Sequence, residues 1–193
     1  MGVEVTYQKL SPEKFHSVTA NQTVWQEFRG TGLPGFSLEE IMAMAANPTP
    51  ESNAKFMAAL QNKNQDPSRL EVSKDWHVLY YLLTGSAEIA EEHQDGKPLH
   101  NVIFGGRTLP VTTGYGPVRY FDHAQIGEIF TALSSVSMVE LNNRFNPEEM
   151  RRLDVYAPPD ERDREIIFGL INHLKAFFQD AMQAKDYIIV YGH

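Results

Sequence analysis

The sequence predicts an α/β fold, α+β-like in arrangement: a single domain over residues 1–193 with a small central mixed sheet covered by several helices. Three observations carry this. Strand-patterned segments lie at both ends of the chain and near its middle. Capped helical stripes fill the stretches between them. No composition shift or internal repeat divides the chain. A sheet interrupted in this way buries its apolar surface under helices.

The elements follow in order. Val3, Val5 and Tyr7 alternate with polar neighbours over residues 2–9, the period of a half-buried strand. Ser11-Pro12-Glu13 opens a helix with a capping hydroxyl, a first-turn proline and an acid near the positive helix end. That helix presents Phe15, Val18, Trp25 and Phe28 and stops near Gly30, where Gly30, Gly32, Pro34 and Gly35 form a loop. Ser37-Leu38-Glu39-Glu40 is a capping box. It starts a helix carrying Leu38, Ile41, Met42 and Ala45, which Asn47-Pro48-Thr49-Pro50 breaks. A helix with Phe56, Met57 and Leu60 follows, then a polar surface loop over residues 62–68.

Residues 74–84 predict a strong helix ending at Gly85. The charged stretch 88–96 reads as exposed, and 99–104 as one or two helical turns ended by Gly105-Gly106. Residues 107–116, rich in Thr, Gly and Pro, read as an irregular loop before a strand at 117–121. Asp122 with Gln125 caps a helix showing Ile126, Ile129, Phe130 and Leu133. Asn146-Pro147-Glu148-Glu149 starts a short helix, and Pro158-Pro159 ends that segment. From 160 to about 183 runs the clearest helix. Its stripe is Ile166, Ile167, Leu170, Ile171, Leu174, Phe177, Phe178, Ala181 and Met182. Residues 187–191 close the chain as a β-rich, central strand.

Composition narrows the chemistry. With 193 residues and 42% hydrophobic content, the chain can build a core without a metal or disulfide staple. It has no cysteine, which removes thiol catalysis, thiolate zinc sites and disulfides, and fits a reducing, cytoplasmic setting. The net charge of -8, with no basic run, argues against nucleic acid and acidic membranes and fits a basic partner, or no charged partner, better. No run approaches the ~18 apolar residues of a membrane span, and no signal peptide is expected. Met1-Gly2-Val3-Glu4-Val5-Thr6 matches the loose myristoylation pattern but reads better as a strand start.

Four segments, in order, resemble the YfbM-like family, a bacterial domain-of-unknown-function family. They are the Met1-Gly2 strand start, Lys74-Asp75-Trp76-His77-Val78-Leu79-Tyr80-Tyr81-Leu82-Leu83-Thr84-Gly85, Gly114-Tyr115-Gly116-Pro117-Val118-Arg119-Tyr120, and Arg144-Phe145-Asn146-Pro147-Glu148-Glu149-Met150 with the later Tyr156 and terminal strand. The resemblance covers nearly the whole chain, least well from Gly30 to Gln65. It implies a single α/β domain over 1–193 and no established activity or catalytic residue.

Two stretches hold candidate site residues. On the helix at 74–84, Trp76, Leu79, Leu82 and Leu83 share one face. His77, Tyr80, Tyr81 and Thr84 share the adjacent one. These could wall a pocket with His77 as acid/base, or could bond to nearby backbone at the core boundary. A lone histidine without a partner favours the second. In the other stretch, Gly114 and Gly116 permit a tight turn and close backbone approach to a ligand, Arg119 could fork onto a carboxylate or phosphate, and Tyr115 and Tyr120 are candidate ligand- or partner-binding residues beside it. A turn entering a strand explains the same residues, and the lysine-Ser/Thr ending of a phosphate loop is absent.

The histidines show no metal spacing, so no metal or cofactor is expected, and the hydrolase signatures Gly-x-Ser-x-Gly and His-Glu-x-x-His are missing. Acids at the starts of helices are explained by capping. The expectation is therefore an acidic cytosolic binding domain, with a toxin-neutralising immunity protein as one version. The alternative is a small-molecule protein or enzyme with a pocket of His77, Tyr80, Tyr81 and Arg119.

Overall fold

The computed structural model describes residues 3–20, 42–44, 46–64, 66–90 and 92–193. Contacts divide the chain into two compact units, one of Met1–Pro12 with Leu70–His193 and one of Glu13–Arg69. The second is a continuous stretch inserted after the first strand.

The first unit is built on a five-stranded sheet of β1 (Val5–Leu10), β2 (Arg69–Glu71), β3 (Arg107–Thr113), β4 (Gly116–Phe121) and β5 (Tyr187–Gly192), in the order β2-β1-β5-β4-β3. This is the α/β architecture expected, but β1–β5, β4–β5 and β3–β4 all pair antiparallel where a mixed sheet was anticipated. The final strand is central. Val5 faces Gly192 and Leu10 faces Tyr187, so the two ends of the chain form one ladder. Reciprocal Glu4 N–His193 O and His193 N–Glu4 O bonds of 3.0 and 2.9 Å extend it.

The N-terminal strand is not half-buried. Val5, Thr6, Tyr7 and Gln8 are all buried, so side chains on both faces of this strand are shielded from solvent. Its polar residues are accommodated by bonds: Thr6 Oγ1 lies 2.9 Å from His193 Nε2, and Gln8 is likewise engaged. The irregular loop expected at 107–116 is mostly strand β3. Its threonines suit a pleated edge, and a register irregularity between Thr108 and Thr112 admits Pro110, which has no N–H to donate.

Helices cover one face of this sheet. They are α3 (Trp76–Thr84), α4 (Pro98–Phe104), α5 (His123–Ser135), α6 (Met138–Arg144), α7 (Pro147–Arg152) and α8 (Arg164–Ala184). In the second unit lie α1 (Pro12–Ala20, whose first residue falls at the boundary) and α2 (Pro50–Asn64). The face is identified by Tyr7, whose ring meets Phe177 and Phe178 of α8 at 6.4 and 6.1 Å and whose hydroxyl donates to Val102 O at 2.8 Å. Phe121 meets Phe178 at 5.8 Å on the same face.

Cap chemistry sets the helix starts. Asp122 and Gln125 exchange bonds as a complete capping box, Ser137 and Glu140 make another, and the Asn146 side chain accepts from Glu149 N. In α8 the expected stripe is buried at Ile167, Ile171, Leu174, Phe177, Phe178 and Ala181, but Ile166 is exposed. At about 100° per residue it lies to one side of the stripe. Phe168, on the other side, is covered by Phe145 at 5.6 Å. No described helix is long and apolar enough to cross a membrane.

In the second unit, α1 begins at Pro12 as expected and buries Phe15 and Val18. Trp25, Phe28, the glycine loop at 30–35 and the Ser37 capping box lie outside the described residues. The break at 47–49 is present, and Thr49 and Ser52 exchange bonds of 2.9 and 3.0 Å at the start of α2. The loop expected from residue 62 begins later, because α2 continues to Asn64.

Candidate functional site

The helix α3 was the first candidate. All eight residues from Trp76 to Leu83 are buried. A helix that is hydrophobic nearly all round sits inside a core rather than along its edge. Gly85 ends it in the left-handed region at φ 76°, with Gly85 N donating to Tyr81 O at 2.7 Å. Arg144 Nη1 reaches across from α6 to donate to Leu82 O at 2.8 Å and Leu83 O at 2.9 Å, placing a cation on the negative helix end.

His77 is held at both nitrogens. Its Nδ1 accepts from Tyr156 N at 2.8 Å, so that atom carries no proton. Nε2 is then the protonated nitrogen and donates to Ala87 O at 2.8 Å. Trp76 stacks on His77 at 5.2 Å and on Tyr156 at 5.8 Å, meets Phe104 edge-on at 5.1 Å, and donates from Nε1 to Val3 O at 3.0 Å. The Tyr80 hydroxyl accepts from Ala90 N at 3.3 Å, and Tyr81 packs into the same core. The imidazole and the Tyr80 hydroxyl are thus occupied by backbone.

Those bonds hold the segment 86–96, of which the charged stretch 88–96 was expected to be exposed. It is anchored at Ala87 by His77 and at Ala90 by Tyr80. Gln94 N donates to Asn101 Oδ1 at 2.7 Å, and Asn101 Nδ2 donates back to Gln94 O at 2.8 Å. His93 Nδ1 accepts from Gly106 N at 3.2 Å. Ile89, Ala90, His93 and Gln94 are consequently half-buried.

Between this segment and the sheet lies a cleft of about 470 Å³, lined by Ile89, Ala90, Phe104, Tyr115, Pro117, Arg119, Val190, Tyr191 and Gly192. Arg119 pairs with Val190, which also pairs with Tyr7, so all three lie on the helix-bearing face. Arg119 is only 9% exposed. Burial pushes its pKa down and the nearby Glu92 carboxylate pushes it back up; a guanidinium remains a cation. It is also engaged by a further partner within the protein. Tyr115, at the hairpin tip, is 45% exposed. Gly116 takes φ 120° in that turn. A Cβ on Gly192 would come within 3.3 Å of Tyr115 Cβ, so glycine lets the hairpin approach β5.

The structure therefore brings Tyr115 and Arg119 into one cleft. Trp76, His77, Tyr80 and Tyr81 do not line it; they stand behind its wall, Trp76 against Phe104 and Tyr80 on Ala90. Tyr120 points to the opposite sheet face, opposite Ile189 and 6.3 Å from Tyr187. Sequence reasoning missed Ile89, Ala90, Phe104, Val190, Tyr191 and Gly192 as site residues. Only the Gly105-Gly106 pair beside Phe104 hinted at one of them.

The remaining histidines do not converge. His100 meets Tyr80 edge-on at 5.8 Å, and burial, with Lys97 adding, lowers its pKa. His123 stacks on Tyr187 at 6.4 Å. Among the described residues no three His, Asp or Glu side chains gather to hold a metal.

Known proteins place this architecture. The model of a family described as a domain of unknown function, DUF1877, matches residues 1–191, and the chain belongs to that family. The crystal structure of YfbM from Escherichia coli, described as a protein of unknown function, is similar with a TM-score of 0.55 over 97% of this chain and 98% of that one. The two are 13% identical, so the likeness is one of fold. The resemblance read from the four sequence segments is thereby shown. No curated protein matches the chain.

Proposed function

We propose that this member of the DUF1877 family is a binding protein that holds a small molecule in the cleft between segment 86–96 and the end of the sheet. The observation that carries this reading is the cleft itself. Its volume of about 470 Å³ falls in the range of small-molecule sites, and its walls are apolar around one buried cation. Its described lining offers no paired nucleophile and base, which favours binding over catalysis. His77 and Tyr80 contribute by holding the wall rather than by touching a ligand. A cysteine-free chain suits a cytoplasmic setting.

The test is a small-molecule screen by thermal shift, followed by amide NMR. Ligand at 100 times its Kd adds about 2.7 kcal/mol of stability, a visible rise in Tm. Supporting hits shift the amides of Tyr115, Arg119 and Gly192. A broad screen with no compound perturbing those amides sinks the reading.

The charge of -8 favours a second reading, capture of a basic protein, of which a neutralised toxin is one version. A partner recovered at one-to-one stoichiometry, with an association rate falling steeply in salt, supports it. Recovery of none counts against it.

A further inference from the structure

Resting on the cleft reading, we infer that the ligand class is a neutral aromatic carboxamide, its amide group held by the backbone N–H and C=O of Gly192. The argument begins with strand register. Glu4 and His193 exchange both backbone bonds, at 3.0 and 2.9 Å, and so form a hydrogen-bonded pair where β1 meets β5. Along an interior strand the backbone groups turn alternately to one neighbour and the other. His193, Tyr191 and Ile189 therefore turn theirs towards β1, and Gly192, Val190 and Ile188 towards β4. The β4–β5 pairing runs through Phe121–Ile188, Tyr120–Ile189 and Arg119–Val190 and stops there. Continued in register, it would set Pro117 opposite Gly192. Pro117 has no N–H to give the Gly192 C=O, which is why the ladder ends.

Among the described residues, β4 thus leaves the Gly192 N–H and C=O unmatched, in a buried residue that lines the cleft. Buried backbone groups of this kind are bonded in nearly all folded proteins. An extended residue presents its N–H and C=O side by side along one edge. A primary carboxamide does the same, so two bonds close together. A carboxylate brings no donor for the C=O, and an ammonium no acceptor for the N–H. Charge points the same way. Arg119 is the sole charged residue among those described in the lining, is already engaged within the protein, and faces the Glu92 carboxylate. An ionised ligand would leave water without a counter-charge of its own.

The body of the ligand follows from the walls. Ile89, Ala90, Phe104 and Val190 present hydrocarbon, and the Tyr115 ring stands at the half-open rim. Apolar area removed from water supplies the bulk of small-ligand affinity, so a bare amide such as acetamide gains little here. An aromatic ring can also pack on the Tyr115 and Phe104 rings.

Titration of the full-length protein with benzamide, isoindolinone, N-methylbenzamide, benzoate and acetamide, followed by amide NMR and calorimetry, tests this. Benzamide and isoindolinone, whose N–H and C=O lie on one side, are expected to bind and to slow hydrogen exchange at the Gly192 amide. N-methylbenzamide, whose trans amide sets N–H and C=O on opposite sides, is expected to bind at least tenfold more weakly. Benzoate should do likewise, and acetamide should give no measurable shift. Pro117→Val, at an exposed position, supplies the missing N–H and should protect the Gly192 amide without ligand and weaken benzamide at least tenfold. Tyr115→Ala at the rim should weaken benzamide several-fold in a folded protein. Benzoate or N-methylbenzamide binding as tightly as benzamide overturns the ligand class while the cleft remains a binding site. So does a Gly192 amide already protected in the free protein, or unchanged benzamide binding by Pro117→Val. If none of these probes moves a cleft amide while other compounds in the screen do, the class fails alone. If nothing in the screen does, the binding reading fails with it.

Discussion

The α3 helix and the β4–β5 end of the sheet carry similar residues and use them in opposite ways. In α3, both His77 nitrogens, the Trp76 N–H and the Tyr80 hydroxyl meet backbone partners within 3.3 Å. At the sheet end, Arg119 and Tyr115 border open space of about 470 Å³. The difference teaches that aromatic and titratable side chains are not by themselves a site. What counts is whether they border open space or lie enclosed in the core. Two of the segments that carry the family resemblance illustrate the first case: Arg144 caps α3 and Tyr156 N binds His77, so the segment from Arg144 to Tyr156 clasps the Trp76 helix.

If the comparison holds, substitutions in α3 should cost stability and those at the cleft rim should not. The largest effect is expected for His77→Leu, which leaves the Ala87 carbonyl and the Tyr156 N–H without their partner. The loss should be about 2–4 kcal/mol, read as a lower urea midpoint. A loss under about 0.5 kcal/mol would break the comparison. Arg144→Met should cost about 1–3 kcal/mol by stripping the last α3 carbonyls of their cation.

Tyr80→Phe removes a single long bond to Ala90 N and should cost about 1 kcal/mol. It should also speed hydrogen exchange in segment 86–96, because that anchor is lost. Tyr115→Ala is expected to stay within about 0.5 kcal/mol of the parent in denaturant, since the side chain stands at the hairpin tip with 45% of its surface exposed.

The smallest effect concerns pH. His100 has a folded pKa lowered from 6.5, so the folded state binds fewer protons than the unfolded state near that value. Its contribution is present above pH 6.5 and is lost as pH falls below it. His100→Gln should flatten the stability profile between about pH 5 and 7, measured by denaturant titration across that range. An unchanged slope would remove His100 from the account.

Much of the fold was legible because its signals are local. The Asp122–Gln125 box, the Asn146 cap and Gly85 after the Trp76 helix each act within a few residues, and each stands where sequence placed it. β3 was not legible, because a Thr- and Pro-rich strand becomes a strand only by pairing with β4. The stretch 88–96 read as exposed, because nothing local tells that Tyr80, Asn101 and Gly106 will bind it and that His77 will hold Ala87 just before it. Of the candidate residues, Tyr115 and Arg119 reached the cleft, Tyr120 fell on the other face by strand alternation, and the α3 group fell behind the wall.

What the sequence by itself determined was most of the described helices, the strands at the two ends and at 117–121, the caps, the α/β class and the acidic, cysteine-free chemistry. These rest on side chains three or four residues apart and on composition. Only the tertiary structure decided which polar groups were enclosed in the core and which came to border a cleft. That decision needs residues 89–90, 104, 115–119 and 190–192 to meet, and they meet because the chain's last strand inserts between β1 and β4.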